Sequence, residues 1–510
     1  MDPVELSIFS SRIASVCDEM GAQLRRAAFS PNIRDRLDFS CAVFDQDGHL
    51  CAQAAHIPVH LGSMAYAMTD IVGSVEWQPG DMVVLNDPFK GGTHLPDVTL
   101  IAPLFVDGER IGFVANRAHH ADIGAESPGS MPLSRHLDEE GLIIPPTHLV
   151  RNDQVVDEVW HLLTDNARNR TESAGDFRAQ VSANRRGLER LGQLVTSLGA
   201  GPFRQALEGL NTYAERLARD SIAAIPDGRY QFTDYLDDDG QGSHDLAIHV
   251  DLAIRGATVD VDFEGTAPQT AGNVNCPLAV AAAAVLYVFR CLMPEQTPAS
   301  AGAFRPVRIS APKGCLVNAR YPAAVAAGNV ETSSRVVDAV LGALQPALPR
   351  RIPAASHGGM NNVAMGSRQD PAWDYYETMG GGMGAGYERP GTDAVQTHMT
   401  NTLNTPVEVL EMHYPLRITH YGIRRGSGGR GQWPGGDGLV REYHFLRPTD
   451  VTLLTERRRH RPWGAAGGQA GAAGENRLDG ALLPPKSALT AHTGQVLTIK
   501  TPGGGGWGQA

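Results

Sequence analysis

Cysteine is scarce in this chain of 510 residues. There are six, Cys17, Cys41, Cys51, Cys276, Cys291 and Cys315, and none forms a C-x-x-C pair. That excludes a disulfide framework and a zinc ribbon and leaves buried thiols as the reading. Basic charge is also short: 44 Lys and Arg stand against 56 Asp and Glu, a net charge of -12. Bulk attraction to nucleic acid is thereby excluded, although a local basic cluster can still meet a small anion. The longest apolar run, "PLAVAAAAVLYVFRCLM", is broken by Arg290 and is short for a membrane span. The opening "MDPVELSIFSSRIASVCDEM" is acidic from its second residue and lacks the basic start of a signal peptide. A soluble cytoplasmic protein with no membrane partner is expected.

Several motifs are missing too. There is no G-x-S-x-G elbow, no H-E-x-x-H and no S-x-x-K with its companions. No P-loop and no strand-borne G-x-G-x-x-G occurs, so a nucleotide has no recognisable cofactor-binding site here. "LDDDG" lacks the ligand spacing of an EF-hand and reads as a solvated turn.

Glycine is abundant, with 57 residues beside 33 prolines, as suits a loop-rich enzyme with many tight turns. Asp2 as N-cap, Pro3 at the first helical position and Phe9, Ile13, Val16, Met20 and Leu24 at steps of three and four predict a helix to about Ala28. "DFSCAVFD" and "HLCAQAA" predict a hairpin turning at Gln46-Asp47-Gly48. "LGSMAYAMTDIVG" predicts a helix. Three strands follow, "DMVVLND", "VTLIAPLFV" and "RIGFVANRAHH", the last two joined at Asp107-Gly108. Residues 153–224 read as helical and charged, period-two alternation returns in "DLAIHVDLAIRGATVDVDFEGT", and apolar helices are expected at 278–293 and 331–345. The fold class is α+β, a large multi-layer body with mixed sheets and helices. Its expected parts are an N-terminal part with a helical extension (1–225), a central α/β part (226–414) and a β-rich, glycine-rich C-terminal part (415–510).

The stretch "NDPFKGGTHLPD", Asn86 to Asp97, carries the strongest chemical signal. Imidazole and carboxylate are good donors to zinc or manganese, which makes His94 and Asp97 candidate metal ligands. Pro96 and Gly91-Gly92 place them on a loop, where glycine lets the backbone turn tightly. The 25 residues from His94 to His119 suffice to run out along one strand and back along the next, so "NRAHH" is expected beside that loop. His119 and His120 face opposite ways on a strand, and only one of them easily joins the same ion. His56 and His60 in "HIPVH" are candidates for substrate binding or for supporting the ligands; otherwise they cap and pack. "GSGGRG" with Arg424, Arg425 and Arg430 reads as a glycine turn sooner than as an anion site, and His148 as structural.

Eight stretches in order, from "SPNIRDRLDFSCAVFD" and "NDPFKGGTHLPDVTLIAPLF" through "GDFRAQVSANRRG", "IPDGRYQFTDYLDDDG", "DFEGTAPQTAGNVNCP", "YYETMGGGMGA" and "HMTNTLNTPVEVLE" to "TPGGGGWG", resemble the hydantoinase B/oxoprolinase family. The family includes B-type subunits of ATP-dependent hydantoinases, lactamases and 5-oxoprolinases, and large subunits of acetone and acetophenone carboxylases. The resemblance implies a metal site formed by His94, Asp97 and His119, with Asp38 of the "R-x-D-F-S" segment as fourth ligand. Zn²⁺, Mn²⁺ or Fe²⁺ suits such a set. His120 and Asp122 become candidates for proton transfer.

The resemblance also implies that ATP is bound by a separate A-type subunit with an actin-like ATPase fold, in a hetero-oligomer such as A₂B₂. That partner is expected to phosphorylate the oxygen of a cyclic amide, and the metal here to lower the pKa of a water that opens the ring. A ketone carboxylase is the alternative, and a scaffold with a non-catalytic metal a further one.

Overall fold

The helix at the N-terminus begins where the chain can cap it. In the computed structural model, which describes residues 2–54 and 57–509, the Asp2 carboxylate accepts from the N–H groups of Val4 and Glu5 at 2.8 Å, and Glu5 reaches back to the Asp2 N–H at 3.0 Å. This capping box satisfies amides that have no partner inside the helix. The helix α1 (Pro3–Ala27) buries Phe9, Ile13, Val16, Met20 and Leu24. Each is worth ~1.5–3 kcal/mol for leaving water. Further helices in this half are the single turn α2 (Pro31–Arg34), α3 (Pro58–Ser74), α4 (Asp157–Thr164), α5 (Arg170–Leu198) and α6 (Ala200–Ala223).

Seven strands form an antiparallel sheet: β1 (Phe39–Asp45), β2 (Leu50–Gln53), β3 (Met82–Leu85), β4 (Asp97–Val106), β5 (Glu109–His119), β6 (Thr147–Arg151) and β7 (Gln154–Val155). Their order is β2-β1-β5-β4-β3-β6-β7. Successive side chains point to opposite faces. Cys41, Val43, Val98, Leu100, Val114 and Ala118 therefore pack against α1 and α5. Ala42, Phe44, Ile101, Phe113 and Ala115 pack against Met64, Met68, Ile71 and Val72 of α3. Between β4 and β5 the chain turns through Asp107 (φ 50°) and Gly108 (φ 79°), both left-handed, as a two-residue hairpin requires. That turn fixes the register of the strand ends that matter below.

A mixed second sheet, β8 (Gly228–Asp238), β9 (His244–Arg255), β10 (Thr258–Asp262) and β11 (Val307–Ser310), packs on α7 (Leu278–Leu292) and α8 (Ser333–Leu344). Gly62 of α3 crosses α7 closely: a Cβ there would stand 2.7 Å from Ala283. A third sheet combines Asn362–Ser367 and Trp373–Glu377 with Thr449–Leu454 and Lys486–Ala491, and a fourth lies wholly after residue 415. Strands from both sides of residue 414 thus pair in one sheet. Five of the six cysteines are buried, and no disulfide forms among the described residues.

The glycine-rich tail is not a strand. Gly503, Gly504, Gly505, Gly506 and Trp507 donate in turn to the carbonyls of Ala472, Gly436, Ala355, Gln469 and Trp433. The neighbours of Gly503 and Gly504 recur three residues later, whereas a β-strand alternates between two. A step of three is that of an extended threefold helix, whose crowded axis admits only glycine. Arg424 closes this bundle by donating to the carbonyls of Ala473 and Thr501.

Candidate metal centre

Asp97, His119 and Asp38 lie in one row across three strands. β4 sets Asp97 opposite His119. β1 sets Phe39 opposite Ala118, so Asp38 falls opposite His119, whose N–H donates to the Asp38 carbonyl at 3.0 Å. By parity all three side chains belong to the face that α3 covers.

The loop from Asn86 to Asp97 adds His94. Gly91 takes a left-handed φ of 105°, and a Cβ at Gly92 would lie 2.1 Å from the Asn86 carbonyl oxygen. The Asn86 amide donates to the carbonyls of Leu95 and Leu142, and its oxygen accepts from the Ile144 N–H at 2.7 Å. Arg117 braces the loop from below, donating to Thr99, Ser63 and the Gly91 carbonyl. Its burial lowers the guanidinium pKa to about 10.

Asp97 is fully buried and is the hub of the cluster. Its Oδ1 lies 3.1 Å from His94 Nε2 and 3.1 Å from His119 Nδ1. Its Oδ2 accepts from Thr93 Oγ1 at 2.9 Å and from Asn329 Nδ2 at 3.0 Å, with His60 Nε2 at 3.2 Å. Burial pushes the Asp97 pKa up, but the surrounding imidazoles, His60 and His94 foremost, outweigh it and hold the carboxyl well below its usual range. Burial opposes charge on His94, yet Asp97 prevails and raises its pKa. For His119 burial prevails and the pKa falls.

The donor set fits a divalent cation. His94 donates from Nδ1 to the Ala326 carbonyl at 3.2 Å, which leaves Nε2 facing Asp97. The Nε2 atom of His94, 3.1 Å from Asp97 Oδ1, makes no well-directed hydrogen bond, and that of His119 is buried without a hydrogen-bond partner among the described residues. Such an orphan costs ~1–3 kcal/mol. One ligand atom each from His94, Asp97 and His119 lies within 4.8 Å of the other two. Beside them is a cavity of about 20 Å³, bounded by Asp38, His60, Asp97, His119, Asn329 and Tyr376. That is room for one water-sized sphere. The other group with metal-like spacing, Asp45, Asp47 and His49, sits in the partly exposed turn after β1.

The remaining expected site residues are placed as follows. Asp38 borders the cavity, with Arg36 Nη2 at 3.7 Å and His60 Nε2 at 3.9 Å, but stands apart from the three clustered ligand atoms. His60 comes from the first turn of α3 and touches both carboxylates. His56 lies outside the described residues. His120 faces the opposite side of the sheet, where its Nε2 meets Gln180 Oε1 at 2.9 Å and its ring lies on Phe177. Asp122 accepts from the N–H groups of Gly124 and Arg168. Neither His120 nor Asp122 borders the cavity beside Asp97. His148 meets the Glu76 carbonyl at 3.2 Å.

Three residues were not anticipated. Asn329, which clamps Asp97, sits on a π-turn, Gly328–Thr332, that leads into α8. Tyr376 stacks on His119, with centroids 4.6 Å apart and planes at 14°, and donates to Asn362 Oδ1. Glu140 is buried and accepts from the N–H groups of Val325 and Ala326, thereby placing the carbonyl that orients His94. No periodicity marks these positions, because tertiary structure alone joins them to the loop.

Burial lifts Glu140 to about 7. Its unfolded-state value lies near 4.5, so from pH 4.5 to 7 the unfolded chain ionises first and stability falls as pH rises. Glu140→Gln keeps an acceptor for both amides and removes the charge. Thermal melts should show the variant equal to the parent near pH 4.5 and more stable at pH 8, by up to roughly 3 kcal/mol. Equal stability at both pH values would remove the buried-charge account of Glu140.

Fold and donor cluster together define a multi-layer α+β protein with a buried His–Asp–His group at the end of an antiparallel sheet. The chain belongs to the hydantoinase B/oxoprolinase family, whose sequence profile matches residues 2–510. It is 39% identical to 5-oxoprolinase 1 of Arabidopsis thaliana, covering 99% of this chain and 42% of that protein. The chain thus spans less than half the length of that relative. It is 32% identical to a protein of Pseudomonas sp. provisionally named as the B-type subunit of a D-/L-hydantoinase, covering 100% of this chain and 90% of the relative. Among solved structures, the ATP-dependent caprolactamase from Pseudomonas jessenii matches with a TM-score of 0.93 at 29% identity, covering 100% of this chain and 91% of that one. Acetone carboxylase matches with a TM-score of 0.86 at 18% identity, covering 99% and 76%, a likeness of fold alone.

Proposed function

We propose that this chain is the ring-opening component of an ATP-dependent cyclic-amide hydrolase, acting on a substrate that a separate A-type ATPase subunit has phosphorylated. The carrying observation is the convergence of buried donor atoms of His94 and His119 on the Asp97 carboxylate, with His119 Nε2 left without a hydrogen-bond partner among the described residues. The names of the relatives, 5-oxoprolinase, D-/L-hydantoinase and ATP-dependent caprolactamase, support ring amides and ATP.

His94, Asp97 and His119 would hold the ion, Zn²⁺, Mn²⁺ or Fe²⁺ by donor type, with Asp38 beside them. A divalent ion supplies Lewis acidity and makes water nucleophilic near neutral pH. The protein's own side chains do the rest. Asn329 and Thr93 fix the Asp97 carboxylate, and Tyr376 fixes the plane of His119. His60 stands between the Asp97 and Asp38 carboxylates, placed to hold a proton there. Ile57, Val59, Val330 and Met360 line the cavity and limit the entry of bulk water. The adjoining space favours catalysis over a structural ion, since a structural site is closed by its own ligands.

An amide resists water through resonance, and phosphorylation of its oxygen removes that protection. The sequence has no nucleotide motif, which is why this reading needs a partner. Co-expression with the A-type subunit tests it. Ring opening of a hydantoin, a lactam or 5-oxoproline should require both chains, ATP and a divalent metal. Bicarbonate-dependent turnover of a ketone, with no ring opening, would overturn it in favour of the carboxylase alternative.

A further inference from the structure

A second cavity, of about 640 Å³, lies on the α5 side of the first sheet and reaches His120. Five carboxyl groups line it: Asp122, Glu172, Asp176, Asp374 and the exposed Asp370. Cations are few. Arg168 serves both Asp122 (3.4 Å) and Asp374 (3.1 Å), Arg34 is taken by Asp35 at 3.0 Å, and Arg447 is exposed. Asp176 accepts from the N–H groups of Phe29 and Ser30. Glu172 has no side-chain hydrogen bond or ion pair among the described residues.

Two further observations point to a ligand. Ser173, a residue only 7% exposed, lines the cavity, and its buried hydroxyl has no hydrogen-bond partner among the described residues. Trp373 and Tyr414, with rings 5.2 Å apart, join Phe29 in giving the cavity aromatic walls. Carboxylates with aromatic faces are the surroundings that hold an organic ammonium group. A metal ion is a poorer fit, because these carboxylates do not converge to metal-ligand spacing among the described residues. The volume is that of a small-molecule site.

We propose that this cavity binds a small organic ammonium ion with an apolar body. Glu172 supplies the free charge and the aromatic rings the apolar contact. Resting on the function proposed above, the amino group freed when a lactam ring opens is such an ammonium once it takes up a proton, on a chain whose other end is the new carboxylate.

Burial and repulsion between the carboxyls raise both Glu172 and Asp374 to about 7. Glu172 faces Asp176 on its own helix and Asp122, Asp374, Arg34 and Tyr414 from its neighbours. A bound cation favours the ionised carboxyls. Binding therefore releases protons and tightens as pH rises from about 6 to 8.

The test is calorimetric titration of the full chain with pentylammonium and with pentan-1-ol, its neutral counterpart. Pentylammonium should bind more tightly than the alcohol. Glu172→Gln should weaken it by at least about tenfold without lowering the melting temperature, which at pH 8 should rise because the lifted carboxyl is removed. Because Asp374 is hydrogen-bonded to its surroundings, Asp374→Asn serves as a second variant only if its melting temperature holds. Equal binding of amine and alcohol, no binding of either, or affinity unchanged in Glu172→Gln would overturn the proposal. The assay needs neither the metal nor the A-type partner. A negative result here therefore leaves the cyclic-amide reading standing, and loss of ring opening with pentylammonium binding intact does the reverse.

Discussion

Asp97→Asn should leave the purified chain folded but without its divalent ion and without ring-opening activity. The replacement keeps the volume of a fully buried side chain, and its amide oxygen can still accept from Thr93 and Asn329. What disappears is the charge on which His60, His94 and His119 converge. Loss of an outer partner of a metal ligand costs about 10- to 100-fold in affinity or activity, and loss of a ligand at the hub should exceed that. Metal analysis after dialysis, circular dichroism and ring-opening assays with the A-type partner measure the three consequences. Wild-type metal content in a folded Asp97→Asn chain would sink the assignment. Affinity in the parent should rise with pH, because the ion competes with the proton that Asp97 favours on His94.

Gly504→Ala should prevent the C-terminal bundle from forming. A Cβ at this position would lie 2.1 Å from the Met383 carbonyl oxygen and 2.3 Å from its carbon. Both are backbone atoms and cannot swing aside. The cost should exceed about 4 kcal/mol, the range reserved for disruption of a packed interior, so the variant should be insoluble or melt far below the parent. Gly201→Ala is the matched control. That glycine lies in the first turn of α6 with nothing within 4 Å of the added carbon, and alanine there should be neutral or mildly stabilising. Equal melting temperatures for the two variants would contradict the axial role of Gly504.

Much of the N-terminal part was legible because its rules are local. The cap at Asp2, the stripe from Phe9 to Leu24 and the Asp107-Gly108 hairpin can each be read within a few residues. Strand parity went further. It separated His119 from His120, and the structure sends the first toward Asp97 and the second toward Gln180. Asp38 was visible only through family resemblance, since its place opposite His119 depends on how β1 pairs with β5. Asn329, Tyr376 and Glu140 were invisible, because they reach the site from a π-turn, from another sheet and through a backbone carbonyl. The tail "TPGGGGWG" was legible as glycine-rich but not as an axial segment, since its partners lie in at least four separate stretches of chain.

Anomalous scattering at the metal edge, from crystals of the chain grown with Mn²⁺ or Zn²⁺, tests the central claim most directly. One dominant peak is expected between His94, Asp97 and His119, at ligand distances of about 2.0–2.2 Å for zinc. A dominant peak elsewhere, at the exposed turn of Asp45, Asp47 and His49 for instance, with none beside Asp97, would contradict it.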